Sequence, residues 1–315
     1  EEGMVFERNP YYHTPVALEY VVYLFDHPGS HTSIFEAGIA DVVRIGPFEA
    51  REIQDPSHAL NEQLHVTTSM CTSMFLLNNS LPPMDDPLVR EALVRSIDRD
   101  LLNENFFNSM EIPAFNILPP AMPGHSDELS IASFDPQAAY TALQASTYAG
   151  ALPQIVITDR GYGDEEDPFI DAVINMWREN LGIEVEVEYL DPDNFSKQAL
   201  KQENQVVSYG WCADYPDPEN FLDLLFNSQG GFNVAGYSNP EVDKLLALAR
   251  SELETGVRLQ LYRQAEELLL EDFAVLPIDY NRMYALANPR VEGYSLPPMG
   301  VQILHLLTLQ PGTAD

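Results

Sequence analysis

The sequence predicts an α/β protein with two lobes, and three observations support that prediction. Residues 154–158, 168–181 and 183–190 read as a strand, a helix and a second strand, which is the spacing of a βαβ unit. Several helices open with a capping residue followed by proline, so their starting points are well defined. A chain of 315 residues with 45% hydrophobic content is long enough to form two domains, each with a buried core.

Short apolar runs separated by turns occupy the first seventy residues. They predict strands at residues 16–25, 41–45 and 66–78 and a short helix at 33–40. The helices that start with a capping residue and proline follow, and they begin at Asp86-Pro87, Asp135-Pro136, Asp167-Pro168 and Asn239-Pro240.

The second half of the chain continues this alternation. In residues 183–190 hydrophobic residues alternate with glutamates, which predicts a half-buried strand, and the helix before it ends at Gly182. An amphipathic helix at 257–271 leads into a strand at 274–285. The run 302–309 is predicted as a lone strand without a hairpin partner that returns to the lobe formed by the first seventy residues. Segments that cross between two lobes would leave a cleft between them.

The charge balance excludes some classes of partner. Sixteen basic against 49 acidic residues give a net charge of −33 at pH 7, which repels nucleic acid and anionic lipid. No apolar stretch approaches the roughly 18 residues of a membrane span. The chain opens on the strand-like segment EEGMVFERNPYYH without a signal peptide. We therefore expect an excised fragment whose upstream part, including any export signal, is absent.

Motifs for catalysis or metal binding are largely missing. The sequence contains no HExxH, P-loop or GxGxxG motif, and its histidines lack the spacing of a zinc site. The acidic clusters at 163–167 and 191–194 do not match the EF-hand pattern, so we interpret them as solvated loops or helix caps. The sequence therefore predicts no metal and no cofactor.

The segment SYGWCADYPDPENFLDLL, residues 208–225, stands out in composition. Its apolar lead-in, Val206, Val207 and Tyr209, predicts a strand at a sheet edge. Pro216 and Pro218 would end that strand, because proline has no amide hydrogen and a fixed φ. The chain is thus predicted to leave the sheet near Asp214, and loops at strand ends often carry binding groups.

Three acidic residues follow in this segment, and two of them have a structural explanation. Asp217 is predicted to cap a helix that starts at Pro218, where Glu219 would favour the helix dipole. Asp214 has no such role. A carboxylate next to Trp211 should need a partner, because the indole lowers the local dielectric constant.

The two cysteines leave two alternatives open. In an extracellular protein Cys71 and Cys212 would most economically form one disulfide, whereas in a cytosolic protein they would more often be two buried thiols.

Several segments together resemble one family. VFERNPYYH, MCTSMFLLNNSLPPMDDPLVREALVRSIDRDLL, GWCADYPDPENFLDLLF followed by YSNPEVDKLL, and LYRQAEELLLEDFAVLPIDY are similar to the oligopeptide-binding proteins of ABC importers, the family 5 extracellular solute-binding proteins. The similarity runs through nearly the whole chain in the right order, and GWCADY is specific within the family for oligopeptide-type members.

The resemblance implies a type II, bilobed periplasmic-binding-protein fold. Residues 1–70 would form part of lobe I, residues 71–287 an essentially complete lobe II, and residues 288–315 a segment that returns to lobe I. The first lobe would be incomplete, because the chain would begin partway through it.

The resemblance also implies site residues. Asp214 would accept the α-amino group of a peptide, and the backbone from Tyr209 through Gly210 and Trp211 to Cys212 would pair with the peptide main chain. Cys71 would form a disulfide with Cys212. Ser208 stands where members that hold short peptides have an arginine for the peptide carboxylate, so a fixed ligand length is not implied. Lys201 is a weak substitute for that arginine.

The leading hypothesis is therefore a non-catalytic, monomeric peptide receptor that works with ABC permease subunits. It would lie in the periplasm or on the extracellular face of the membrane, held there only through a lipid anchor outside this fragment. One alternative keeps the fold but binds a nickel chelate or an oligosaccharide, or acts as a ligand sensor. Another is a hydrolase with the carboxylate pair Asp214 and Asp217, which is disfavoured because both residues lie in one short turn.

Overall fold

A computed structural model describes residues 3–161 and 167–310. Its strands are β1 (Gly3–Glu7), β2 (Tyr20–Leu24), β3 (Val42–Ile45), β4 (Leu64–Leu77), β5 (Ile112–Pro113), β6 (Ile155–Arg160), β7 (Val185–Leu190), β8 (Val206–Cys212), β9 (Val275–Ala287), β10 (Val291–Glu292) and β11 (Thr308–Leu309). Its α-helices are α1 (His31–Glu36), α2 (Pro47–Ile53), α3 (Pro87–Arg95), α4 (Arg99–Phe107), α5 (Pro136–Ala145), α6 (Pro168–Leu181), α7 (Pro192–Ala199), α8 (Glu219–Phe226), α9 (Pro240–Ser251) and α10 (Thr255–Glu271).

The chain divides into two compact units. The first extends to Ser69 and resumes at Arg282, and the second comprises Met70–Asn281. In the first unit β1 pairs with β2, β3 pairs with the last residues of β9, and β10 pairs with β11, all antiparallel. The assignment of the units to family lobes stays a prediction.

The second unit is built around a mixed sheet in the order β9-β4-β8-β6-β7, with β5 beside β9. β6 runs parallel to both β7 and β8, whereas β4 and β8 are antiparallel. Trp177 of α6 is fully buried against Phe75 of β4, with ring centroids 6.1 Å apart. Its indole nitrogen donates a hydrogen bond to the carbonyl of Leu93 in α3 at 3.0 Å. This contact joins two helices to the sheet in one core.

All four helices predicted from a capping residue and proline are confirmed. Asp86, Asp135, Asp167 and Asn239 each accept a hydrogen bond from a first-turn amide at 2.9–3.0 Å. Helix α6 ends at Gly182 in the left-handed conformation, with φ 69°. Of the two acidic clusters, residues 191–194 start α7 as a helix cap, whereas residues 163–166 lie outside the described residues.

The prediction of a lone strand at residues 302–309 was wrong, although this run does belong to the same compact unit as the chain up to Ser69. Only Thr308–Leu309 of the run 302–309 forms a strand, and it has a partner, β10, with which it pairs antiparallel. Leu304–Leu306 instead forms a 3₁₀ turn. Ile303 and Leu306 remain exposed, so no buried face holds this run in one extended register.

Within the described ranges, no helix has the length and apolar character needed to cross a membrane. The same residues contain no group of three or more His, Cys, Asp or Glu side chains placed to hold a metal ion.

Glu266 of α10 is a fully buried carboxylate in the core of the second unit. Its Oε1 accepts hydrogen bonds from the amides of Ile117 and Leu118, both at 2.9 Å, while its Oε2 has no hydrogen-bond partner among the described residues. Burial raises the pKa of Glu266 to about 7, although the two amide bonds and the nearby His125 oppose that shift.

We expect Glu266 to lower the stability of the protein as the pH rises from 5 to 8. The unfolded chain releases this proton near pH 4.3, whereas the folded protein keeps it to about pH 7, so rising pH favours unfolding. In Glu266→Gln the loss of unfolding free energy between pH 5 and 8 should shrink by about 2 kcal/mol. Urea titrations of both proteins at each pH check this, because other groups titrate alike in both. Equal pH slopes would contradict the prediction.

Candidate functional site

The segment singled out in the sequence forms β8 and the turn after it. β8 lies between two strands: it pairs with β4 from Val206↔Leu77 to Cys212↔Cys71, but with β6 only through Val206 and Val207. The lead-in was predicted at a sheet edge. Val206 and Val207 instead lie inside the sheet and are buried, whereas Tyr209 lies beyond the last pair between β8 and β6. Beyond Val207 no other described strand pairs with the second side of β8. We call this side of residues 208–212 the open edge.

The backbone groups on the open edge follow from the antiparallel pairing with β4. The amide of Ala213 donates to the carbonyl of Met70 at 2.8 Å, and hydrogen-bonded pairs alternate along such a ladder. Trp211 and Tyr209 therefore turn their backbone groups toward β4, whereas Cys212 and Gly210 turn theirs toward the open edge. Gly210 and Cys212 are exposed, and a Cβ added at Gly210 would meet no atom within 4 Å.

A disulfide connects β8 covalently to β4. Cys71 and Cys212 lie directly opposite each other, with Cα atoms 4.0 Å apart, and their sulfur atoms are bonded. The disulfide implied by the resemblance is therefore present. It holds the last residue of β8 in register at the point where the chain leaves the sheet.

Asp214 follows in that turn, and its side chain is exposed. The sequence predicted that Trp211 would partly desolvate this carboxylate. That expectation was wrong, because Asp214 is exposed. The predicted need for a partner is met in part by Asn220 of α8, whose Nδ2 lies 3.4 Å from Asp214 Oδ2. Asp214 therefore remains accessible to a ligand.

Asn220 was missed by the sequence reasoning, although it organises the turn. It is almost fully buried, and its Oδ1 accepts hydrogen bonds from Trp211 Nε1 at 3.1 Å and from the Asp214 amide at 3.0 Å. A single amide thus fixes both the indole and the backbone that carries Asp214. The only signal in the sequence was an uncharged polar residue in the first turn of α8, directly before the apolar pair Phe221 and Leu222.

Asp217 has a structural role close to the predicted one. Its carboxylate accepts a hydrogen bond from the Glu219 amide at 3.0 Å, but α8 begins at Glu219 with Pro218 as its capping position, one residue later than expected. Arg258 also donates to both carboxylate oxygens, at 2.6 and 2.7 Å. Partial burial raises the pKa of Asp217, yet the Arg258 and Glu219 bonds outweigh it and leave the pKa below its usual value. A carboxylate held ionised in this way is a poor general acid, which argues against the hydrolase alternative.

The other predicted residues surround the open edge. Tyr209 and Trp211 project from one face of β8 with nearly parallel rings, whose centroids are 6.3 Å apart. Ser208 lies on the opposite face and hydrogen-bonds to Asp159 of β6; burial raises the pKa of that carboxyl group. Lys201 lies in the exposed turn after α7 and not on β8.

The geometry can be compared with known proteins. The oligopeptide-binding protein OppA of Bacillus subtilis is 28% identical over 253 residues, which are 78% of this chain and 46% of that protein. The periplasmic oligopeptide-binding protein OppA of Salmonella typhimurium is 27% identical over 303 residues, or 93% and 55% of the two chains. The chain spans about half the length of these curated relatives.

Solved structures agree on the fold. The Haemophilus influenzae OppA complex with the peptide RPPGFSPFR superimposes with a TM-score of 0.71 at 24% identity, covering 98% of this chain and 62% of that one. The predicted α/β fold of type II binding proteins is therefore confirmed. The family model for bacterial extracellular solute-binding proteins, family 5 (Middle), matches residues 1–233. The chain belongs to the family 5 bacterial extracellular solute-binding proteins.

Proposed function

We propose that this chain captures oligopeptides as part of the substrate-binding component of an ABC importer and delivers them to the permease. One observation carries the proposal. The open edge presents backbone groups at Gly210 and Cys212 that no other strand pairs within residues 3–161 and 167–310, and it ends at the exposed carboxylate of Asp214.

Each part of this arrangement suits one part of a peptide. A peptide laid along the open edge gains main-chain hydrogen bonds as an added strand, and such pairing accepts any side chain. The Asp214 carboxylate offers a charge-assisted hydrogen bond to the α-ammonium group. Since Asp214 lies beyond the carboxyl end of β8, a peptide anchored there runs antiparallel to β8.

The remaining residues are proposed to contact the peptide or to hold β8 and its turn in place. Trp211 and Tyr209 provide apolar surface beside the peptide, Cys212 is held in place by its disulfide with Cys71, and Ser208 lies at the closed end of the open edge. Asn220 positions the Asp214 turn. No step in this scheme breaks a covalent bond, so the protein would act as a receptor and not as an enzyme.

The cellular location and the partners of the protein are part of the same proposal. The relatives in Bacillus subtilis and Salmonella typhimurium are named as oligopeptide-binding, and the second is named as periplasmic. We infer that this protein also works outside the cytoplasm, as a monomer, and hands its peptide to ABC permease subunits.

The proposal predicts that affinity depends on a free amino terminus. Isothermal titration calorimetry on the protein would compare tetra-alanine, its N-acetyl form and its N-methyl form. Acetylation removes the positive charge and should weaken binding at least about tenfold, because a hydrogen bond between charged groups contributes about 1.5–3 kcal/mol. N-methylation keeps the charge and should change the affinity much less. Equal affinity for the free and acetylated peptides would refute the Asp214 anchor.

A further inference from the structure

An aromatic cluster lies beside the open edge on one face of the sheet. Its members are Tyr209, Trp211 and Phe232, which we call the aromatic shelf. The ring of Trp211 lies between the other two, 6.3 Å from Tyr209 and 5.7 Å from Phe232. Tyr209 and Trp211 are half-buried, whereas the Phe232 side chain is 41% exposed. The shelf therefore offers accessible apolar surface with a fixed shape.

The shelf is held in place before any ligand binds. The Trp211 indole donates to Asn220, which is itself buried, so the ring cannot turn away without losing that bond. Tyr209 and Trp211 are two residues apart on one strand and therefore project from the same face. Phe232 comes from the loop after α8 and extends this face beyond Trp211.

The position of a bound peptide relative to the shelf follows from strand geometry. With its amino group at Asp214 and its first hydrogen-bonded pair at Cys212, an antiparallel peptide places its second residue opposite Trp211 and its fourth opposite Tyr209. Side chains opposite each other on neighbouring strands have Cβ atoms about 4.5–5.5 Å apart. The second side chain of the peptide would thus contact Trp211 and reach toward Phe232. The first and third side chains would project to the other face.

We propose that the aromatic shelf selects peptides with an aromatic or large apolar second residue, and that Phe232 is the specificity-determining residue. This inference rests on the proposed peptide-binding function. Aromatic pairs contribute about 0.5–1.5 kcal/mol beyond the burial of their surface, and the exposed Phe232 ring provides that surface.

Charge distinguishes an aromatic from a basic second residue. A lysine or arginine side chain could also lie over an aromatic ring through cation–π attraction. Arg160 already acts on this shelf, because its positive charge opposes the effect of burial, which raises the pKa of the Tyr209 hydroxyl. A lysine or arginine side chain would also have to give up hydration of its charge to lie on the shelf, whereas an uncharged ring would not, so the shelf favours an uncharged ring.

The test uses four tetrapeptides with free termini: AAAA, AFAA, FAAA and AKAA. Calorimetry on the protein should give AFAA about tenfold higher affinity than AAAA, since this gain corresponds to about 1.4 kcal/mol. FAAA and AKAA should gain less than about threefold, which is under 0.7 kcal/mol. In Phe232→Ala the gain for AFAA should fall below about threefold as well. Phe134→Ala is the matched control, because Phe134 is also 41% exposed but precedes α5, away from the shelf.

The outcomes separate this inference from the proposed function. If no peptide binds, or if N-acetylation has no effect, the peptide-binding proposal itself fails. If the peptides bind with dependence on a free amine but AFAA gains nothing over AAAA, the shelf does not select the second residue. An unchanged gain in Phe232→Ala, or a gain for AKAA equal to that for AFAA, would overturn the inference and leave the Asp214 anchor intact.

Discussion

Replacing Asp214 by asparagine is expected to weaken the binding of tetra-alanine by roughly 30- to 150-fold, or about 2–3 kcal/mol. Asparagine has nearly the same shape and retains one carbonyl oxygen as an acceptor, but it carries no charge to balance the peptide ammonium. Within the described part of the chain, Asn220 is the side chain that donates a hydrogen bond to the exposed carboxylate, at 3.4 Å, so much of its capacity to accept hydrogen bonds is available to a ligand.

A double-mutant cycle makes this prediction specific. If Asp214 and the ammonium group interact directly, acetylating the peptide should cost affinity in the wild-type protein and almost none in Asp214→Asn. Asp193→Asn, an exposed acidic residue in α7, is the control and should leave binding unchanged even though it alters the net charge equally. A similar loss in both variants would attribute the effect to overall charge and not to a contact at Asp214.

Much of the second unit could be predicted from local sequence, because its elements carry their own boundaries. The pairs of a capping residue and proline at Asp86, Asp135, Asp167 and Asn239 mark helix starts whatever the tertiary context, and each accepts its predicted bond. The alternation of hydrophobic and acidic residues in β7 is likewise a local signal, because it indicates a strand with one buried face whatever its neighbours are.

The open edge could not be predicted in the same way. Its existence depends on where β6 stops pairing with β8, a property of two segments some fifty residues apart that no local pattern records. The prediction of a sheet edge was therefore wrong for Val206 and Val207, although it also included Tyr209, which lies beyond the last pair with β6. Asn220 was missed for a related reason: its polar side chain is explained only by two groups, the Trp211 indole and the Asp214 amide, that the fold brings to it.

The Cys71–Cys212 disulfide is expected to contribute about 2–5 kcal/mol to the unfolding free energy. It joins residues 141 positions apart, so it restricts a large part of the unfolded chain. The double variant Cys71→Ala/Cys212→Ala should unfold at a lower urea concentration than the oxidised wild type. Adding a reductant should shift the wild-type transition toward that of the variant and leave the variant itself unchanged. Equal stability of the two proteins would contradict the prediction.

The same variant separates the stability of β8 from its function. The register of β8 is also fixed by its ladder with β4, including the bond from the Ala213 amide to the Met70 carbonyl, and by the contacts of Asn220. These hydrogen bonds remain when the sulfur atoms are removed, so at low urea concentration the double variant should bind tetra-alanine within about threefold of the wild type, a difference under 0.7 kcal/mol. A much larger loss of affinity would mean that the covalent bond, and not the ladder, holds the open edge in its binding geometry.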